Sequence, residues 1–150
     1  MAPYTAHMCV SPDGDLAYLP VHKCASTTYN FHFQRRLGWG RAWPADAAVA
    51  VTALKDYVPD PDPSEILVIT RDPVQRWVSG MKQIDFWTAP SWGAVPWDDP
   101  HLWPVGRFLS QWPQFGDRFV FHDMNDVDSW LSKHGLPSTE DHLNRGKIET

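Results

Sequence analysis

Cysteine is scarce, with only Cys9 and Cys24 in 150 residues. Two thiols cannot form the disulfide framework that holds small secreted domains together, and the strand expected between them keeps them apart. Both therefore read as free thiols of a reducing, cytoplasmic compartment. Long apolar runs are also missing. No stretch approaches the roughly 18 residues of a membrane-spanning helix, and Met1–Val10 has neither the basic start nor the apolar centre of a signal peptide. Positive charge is not in excess: 13 Lys and Arg face 18 Asp and Glu, a net charge of −5. That excludes a nucleic-acid binder driven by overall charge and leaves room for a local basic pocket that takes a small anion. The seven His show no metal-ligand spacing. No internal repeat and no low-complexity segment is present.

Hydrophobic residues make up 43% of the chain and charged residues 21%, which is ordinary for a globular protein. The length suits one domain over residues 1–150, with an N-terminal arm over 1–15 and a polar tail over 136–150. Nine Trp and fourteen Pro stand out. They point to stiff loops and to aromatic surface beyond what a core needs.

The turn Pro12-Asp13-Gly14 precedes Leu16–Val21, a short apolar run that reads as a buried strand. A helix is expected from Ser26 to Leu37, since Tyr29, Phe33 and Leu37 share one face and Gly38 stands at the C-terminal cap. Pro44–Tyr57 reads as a second helix and Pro59–Pro63 as a rigid connector. Ile66–Thr70 is the strongest strand, apolar and β-branched. Asp72-Pro73 then opens a helix, with Val74, Trp77, Val78 and Met81 as its inward stripe. Residues 86–104 hold four Trp and four Pro and read as a loop or lid. A helical stripe at Val105, Phe108, Leu109 and Trp112, a strand over Arg118–His122, and a helix capped by Asn125 with Val127, Trp130 and Leu131 inward complete the chain. Strands alternate with helices, which predicts an α/β fold: a three-layer sandwich around a central, mainly parallel sheet. Ligands of such sheets lie where the carboxyl ends of strands run into helices.

Two such corners carry chemistry. At the first, His22-Lys23-Cys24-Ala25-Ser26-Thr27-Thr28, a lysine is followed by three hydroxyl residues that open a helix. Free N–H groups of the first helical turn, hydroxyl donors and the Lys23 charge together make a cradle for phosphate or sulfate. The loop has no glycine and its lysine precedes the hydroxyls, so it is not the GxxxxGK[ST] loop of ATPases and GTPases. The plain alternative is that Ser26 caps a helix and Lys23 is a solvated charge. At the second corner, Arg71 ends the best strand and can fork onto a phosphate. Arg76 and Ser79 share a face opposite the apolar stripe, and Arg76 reads as structural, paired with Asp72.

In this order, the two corners resemble those of the sulfotransferases that use 3′-phosphoadenosine-5′-phosphosulfate (PAPS). The first is similar to their 5′-phosphosulfate loop. The second, Arg71-Asp72-Pro73-Val74-Gln75-Arg76-Trp77-Val78-Ser79, is similar to their RDPxxRxxS 3′-phosphate motif. Asp99-Pro100-His101-Leu102-Trp103-Pro104 resembles the D-x-H-W-x-P segment of the carbohydrate-type branch. Phe119–Leu131 resembles its late strand and helix, and Leu143-Asn144-Arg145 its terminal hxN segment. The likeness runs over roughly residues 16–146. Three features depart from the family: Cys24 stands where a small or hydroxyl residue is usual, the tryptophan of HW is displaced to Trp103, and the chain is short. The short length leaves room for a homo-oligomer whose second subunit supplies contacts.

The resemblance implies a P-loop nucleotide-kinase-like fold with PAPS across the carboxyl edge of its sheet. Lys23 and the backbone of Cys24, Ala25, Ser26, Thr27 and Thr28 would hold the 5′-phosphosulfate, and Arg71 and Ser79 the 3′-phosphate. Lys23 would neutralise the leaving oxygen, and no metal is required. The acceptor would be a hydroxyl of a carbohydrate or small molecule. Its general base would be His101, with His22 second; His32 reads as a helix-surface residue and His122 as a strand end. Trp87, Trp92, Trp97 and Trp103 form an acceptor platform, a packed loop or a lid. Two other functions compete: an ATP-using phosphotransferase, and a nucleotide- or glycan-binding module without turnover.

Overall fold

The computed structural model describes residues 7–21, 24, 26–44, 54–79 and 104–139. Five strands form one open sheet: β1 (Met8–Val10), β2 (Leu16–Leu19), β3 (Gly40–Ala42), β4 (Glu65–Thr70) and β5 (Phe119–Asp123), in the order β3-β1-β2-β4-β5. Helix α1 (Ser26–Asn30) runs on as a π-helical stretch (Phe31–Arg36). Residues 73–79 form α2, Val105–Leu109 form α3 and Val127–Lys133 form α4, and a 3₁₀ turn spans Pro113–Phe115. The protein is therefore mixed α/β. Among the described residues no helix is long and apolar enough to cross a membrane.

The sheet is parallel on one side only. β2 pairs in parallel with β4, and β4 with β5, whereas β1 pairs antiparallel with both β2 and β3. A mainly parallel sheet was expected. The difference comes from residues 8–10, which lie inside the stretch read as an N-terminal arm and form a strand near the middle of the sheet. A short turn can join only antiparallel neighbours. Here the turn is tied by side chains: Ser11 Oγ donates to Asp13 Oδ1 at 2.6 Å, the Asp15 N–H donates to the same oxygen at 3.0 Å, and the Leu16 N–H donates to Ser11 Oγ at 3.0 Å. The bond from Ser11, then that from the Asp15 backbone, holds the Asp13 carboxyl below its ordinary range.

Successive side chains of a strand point to opposite faces. Ala17, Tyr18 and Leu19 of β2 and Ile66, Leu67, Val68 and Ile69 of β4 are all buried, so both faces of these central strands are covered. On one face Phe33 is the hub. Its ring stacks on Tyr18 with centroids 4.8 Å apart and meets Trp39 at 4.6 Å and Trp130 edge-on at 6.5 Å. Val127, Trp130 and Leu131 point inward from α4, as their spacing predicts, and Phe108 and Trp112 are buried as expected. Gly38 and Gly135 end their helices at φ +70° and +69°, where a side chain would be strained.

Two expectations fail here. His32 is fully buried rather than on a helix surface. The Leu37 N–H reaches back five residues to the His32 carbonyl at 3.0 Å, so the helix is widened and His32 turns inward, where its Nε2–H donates to the Pro137 carbonyl at 3.1 Å. The helix expected over Pro44–Tyr57 does not reach its predicted end. Residues 54–56 are a turn, and the backbone of Asp56 and Val58 bonds Arg41 of β3, with a bridge between Arg41 and Tyr57. The rest of that segment, residues 45–53, lies outside the described residues.

Candidate functional site

The three parallel strands β2, β4 and β5 point their carboxyl ends the same way. β2 is followed by Pro20, Val21 and then Cys24, whose N–H donates to the Val21 carbonyl at 3.3 Å. β4 ends at Thr70 and passes to Arg71; β5 ends at Asp123. The last two are knit together, because the Met124 N–H donates to the Thr70 carbonyl at 2.8 Å and Thr70 Oγ1 donates to the His122 carbonyl at 3.3 Å.

These ends meet around the Cys24 thiol, which is fully buried. Burial pushes its pKa up. The Arg76 guanidinium, by charge and by hydrogen bond, pulls the other way, as does the charge of Arg71, while Asp123 adds to the rise. Two cations that follow β4 and one carboxylate at the end of β5 thus act on a single sulfur beyond the end of β2. The first corner and the second corner come together.

Helix α2 begins as expected: Asp72 Oδ1 accepts from the Gln75 N–H at 2.9 Å, which makes Asp72 an N-cap in front of Pro73. Its orientation is the reverse of the expected one. Val74, Trp77 and Val78 are exposed, at 70%, 48% and 39%, and Arg76 is only 6% exposed. Arg76 does not pair with the Asp72 carboxylate, which serves the helix cap. Its guanidinium donates to Cys24 and lies over the Phe108 ring, 5.7 Å from the centroid. The apolar spacing identifies a helix face but not which face turns inward. A buried guanidinium with a sulfur and an aromatic ring to receive it reverses the usual choice. Burial lowers the Arg76 pKa, offset by Cys24.

The remaining candidates are distributed as follows. Ser26 and Thr28 are half-buried in the first turn of α1 and Thr27 is exposed. Arg71 and Ser79 are half-buried, at either end of the α2 segment. Lys23, Ala25, His22 and His101 lie outside the described residues, as do Trp87, Trp92, Trp97 and Trp103. Both cysteines are free thiols. Among the described residues no three His, Cys, Asp or Glu side chains are grouped to hold a metal. Arg76 and Asp123 were not singled out as site residues. Arg76 carried a signal, as the second arginine of the motif, but its helical position argued against burial; Asp123 had only its place at the end of a parallel strand.

No family model, no curated protein and no solved structure matches this chain.

Proposed function

We propose that this protein is a PAPS-dependent sulfotransferase that moves a sulfuryl group to a hydroxyl of a carbohydrate or small-molecule acceptor. One observation supports this above the rest: Arg71 and Arg76 of the second corner act on Cys24 of the first, at the carboxyl ends of parallel β2 and β4. A nucleotide with an anion at each end needs two cationic corners within one molecule's length of each other. The fold would be a three-layer, nucleotide-kinase-like sandwich with the nucleotide along that edge.

Bound PAPS would supply the sulfuryl group and a phosphate leaving group. Arg71 would fork onto the 3′-phosphate with Ser79 beside it, and the two guanidiniums would outweigh Asp123 in the local field. Lys23 and the N–H groups at Cys24–Thr28 would hold the phosphosulfate and stabilise charge on the bridging oxygen, the largest contribution residues of this kind can make. His101 would take the acceptor proton near neutral pH.

The test is thermal unfolding with 3′-phosphoadenosine-5′-phosphate (PAP), ADP and ATP at millimolar concentration. A ligand with micromolar affinity stabilises by about 4 kcal/mol under those conditions. A larger shift for PAP than for ADP or ATP is expected. An equal response to ATP favours a phosphotransferase. A PAP response without sulfate transfer from labelled PAPS to sugar, phenol or lipid acceptors favours a binding module.

A further inference from the structure

We infer that the outer edge of β5 is an interface with a second copy of this chain: two β5 strands pair antiparallel about a two-fold axis at Phe121 and join two sheets into one. This goes beyond the proposed activity and does not depend on it.

The two edges of the sheet differ among the described residues. The outer edge of β3 is closed: the Arg41 N–H donates to the Asp56 carbonyl at 2.7 Å, and the Val58 N–H donates to the Arg41 carbonyl at 2.8 Å. β5 ends the strand order on the other side, and no described strand pairs with its outer edge. An open edge offers a row of backbone donors and acceptors to any extended chain, and proteins guard such edges with Lys, Pro or a bulge. Phe119–Asp123 holds no Lys and no Pro. It runs beside β4 in unbroken register, from Phe119 against Ile66 to Asp123 against Thr70.

The ladder decides which groups face outward. The Ile66 N–H donates to the Arg118 carbonyl at 2.9 Å, and the Met124 N–H donates to the Thr70 carbonyl at 2.8 Å. Alternate residues of a strand bond the same neighbour. Residues 118, 120, 122 and 124 therefore turn their backbone groups to β4, and Phe119, Phe121 and Asp123 turn theirs away. The Asp123 carbonyl already accepts from the Asp126 N–H at 2.8 Å, which leaves Phe121 at the centre of the open edge. Its side chain is 54% exposed, more than any other Phe, Trp or Tyr among the described residues. Backbone and ring of one residue are thus offered together.

Such an edge is complementary to itself after a half-turn. Phe121 meets Phe121 of the second copy, with N–H to carbonyl bonds in both directions and the two rings side by side on one face. Val120 falls opposite His122 of the second copy, and Phe119 opposite Asp123. The two Asp123 carboxylates then stand four residues apart, about 13 Å along the strands. A parallel, in-register pair would instead set Asp123 against Asp123, and like charges directly opposite are destabilising. Charge therefore selects the antiparallel pair. Two short strands bury little area, so the dimer is weak and concentration-dependent.

Sedimentation equilibrium from about 10 to 500 μM tests this without any nucleotide, the range in which a small interface associates. The wild-type mass is expected to rise with concentration from 17.1 kDa towards twice that value. Phe121→Lys sets two ammonium groups against each other at the axis, and should weaken association at least about tenfold. The register has its own test. Phe121→Cys should cross-link to itself under mild oxidation, because opposed residues of a hydrogen-bonded antiparallel pair have Cα atoms about 5.5 Å apart, within reach of a disulfide. Val120→Cys, which faces His122, should not. A mass that stays at 17.1 kDa throughout, association unchanged in Phe121→Lys, growth past the dimer, or cross-linking of Val120→Cys as readily as of Phe121→Cys each overturns the interface. Failure to bind PAP would overturn the sulfotransferase function and leave this result standing.

Discussion

The indole Nε1–H of Trp130 donates to Glu65 Oε1 at 2.6 Å, joining the last helix to the first residue of the central strand β4. His134 adds a second contact to the same oxygen at 3.3 Å, its ring 4.6 Å from that of Trp130. Burial raises the Glu65 pKa, but the bonds from Trp130 and His134 and the charges of His134 and Lys133 outweigh it, so the group lies below its ordinary value. Glu65 is the anchor of β4 at the end opposite the candidate site.

Trp130→Phe keeps the ring against Phe33 and removes the donor. The carboxylate is left with one partner fewer, and a loss of about 1.5–3 kcal/mol is expected, the range for hydrogen bonds to charged groups. Urea unfolding at pH 7 measures it. The nucleotide response should not change, because the pair lies at the other end of the strand.

His7 sets the response to mild acid. Gln34 Nε2 donates to His7 Nε2 at 3.4 Å and also reaches Cys9 Sγ at 3.4 Å. Burial, then the Arg41 charge, pushes the His7 pKa down to about 4, with Asp56 opposing. The unfolded chain takes up a proton near pH 6.5 and the folded one only near 4, so the unfolded state binds more protons in between. Stability is full above pH 6.5 and falls by up to about 3 kcal/mol towards pH 4. His7→Gln should flatten the urea midpoint between pH 6.5 and 4.5. The carboxyls that are held low, Asp13, Asp56 and Glu65, lose their contribution only as pH falls further, through their own folded values.

Gly40 is where β3 meets the segment after it. A Cβ there would lie 2.5 Å from Val58 Cγ2 and 2.8 Å from the Asp56 carbonyl oxygen. The backbone oxygen is fixed by its bond from the Arg41 N–H at 2.7 Å, and the Asp56 carboxylate by Arg41 Nε at 2.5 Å. Gly40→Ala should cost about 1–3 kcal/mol, or roughly 5 °C in Tm by calorimetry.

The parts of this fold legible in the sequence are those where one residue pattern has one physical outcome. Ile66–Ile69 is too short and too β-branched for anything but a buried strand, and Val127, Trp130 and Leu131 fit only one helix face. β1 and β3 are three residues each and show no period; they exist because the turn at Ser11–Asp15 and the Arg41 backbone pair them with neighbours. α2 was legible as a helix but not in its orientation, since Arg76 faces inward for a partner 52 positions earlier in the chain. The site followed the same division. Arg71 at a strand end and Cys24 in a loop were readable from strand order alone. Arg76 and Asp123 acquire meaning only once three strand ends are brought side by side.

The most direct test of the two-corner account is calorimetric titration of PAP and of ADP into wild-type protein and Arg71→Ala. PAP carries a 3′-phosphate, the group assigned to Arg71, where ADP has a free hydroxyl; ADP instead carries a second phosphate at the 5′ end, so it is the loss of PAP binding in Arg71→Ala relative to ADP that reads the 3′ contact. Wild type should bind PAP the more tightly, and Arg71→Ala should weaken PAP by at least about tenfold, the scale of a charge-assisted contact, while ADP affinity stays nearly constant. Equal losses for the two nucleotides, or a wild type that does not favour PAP, would contradict it.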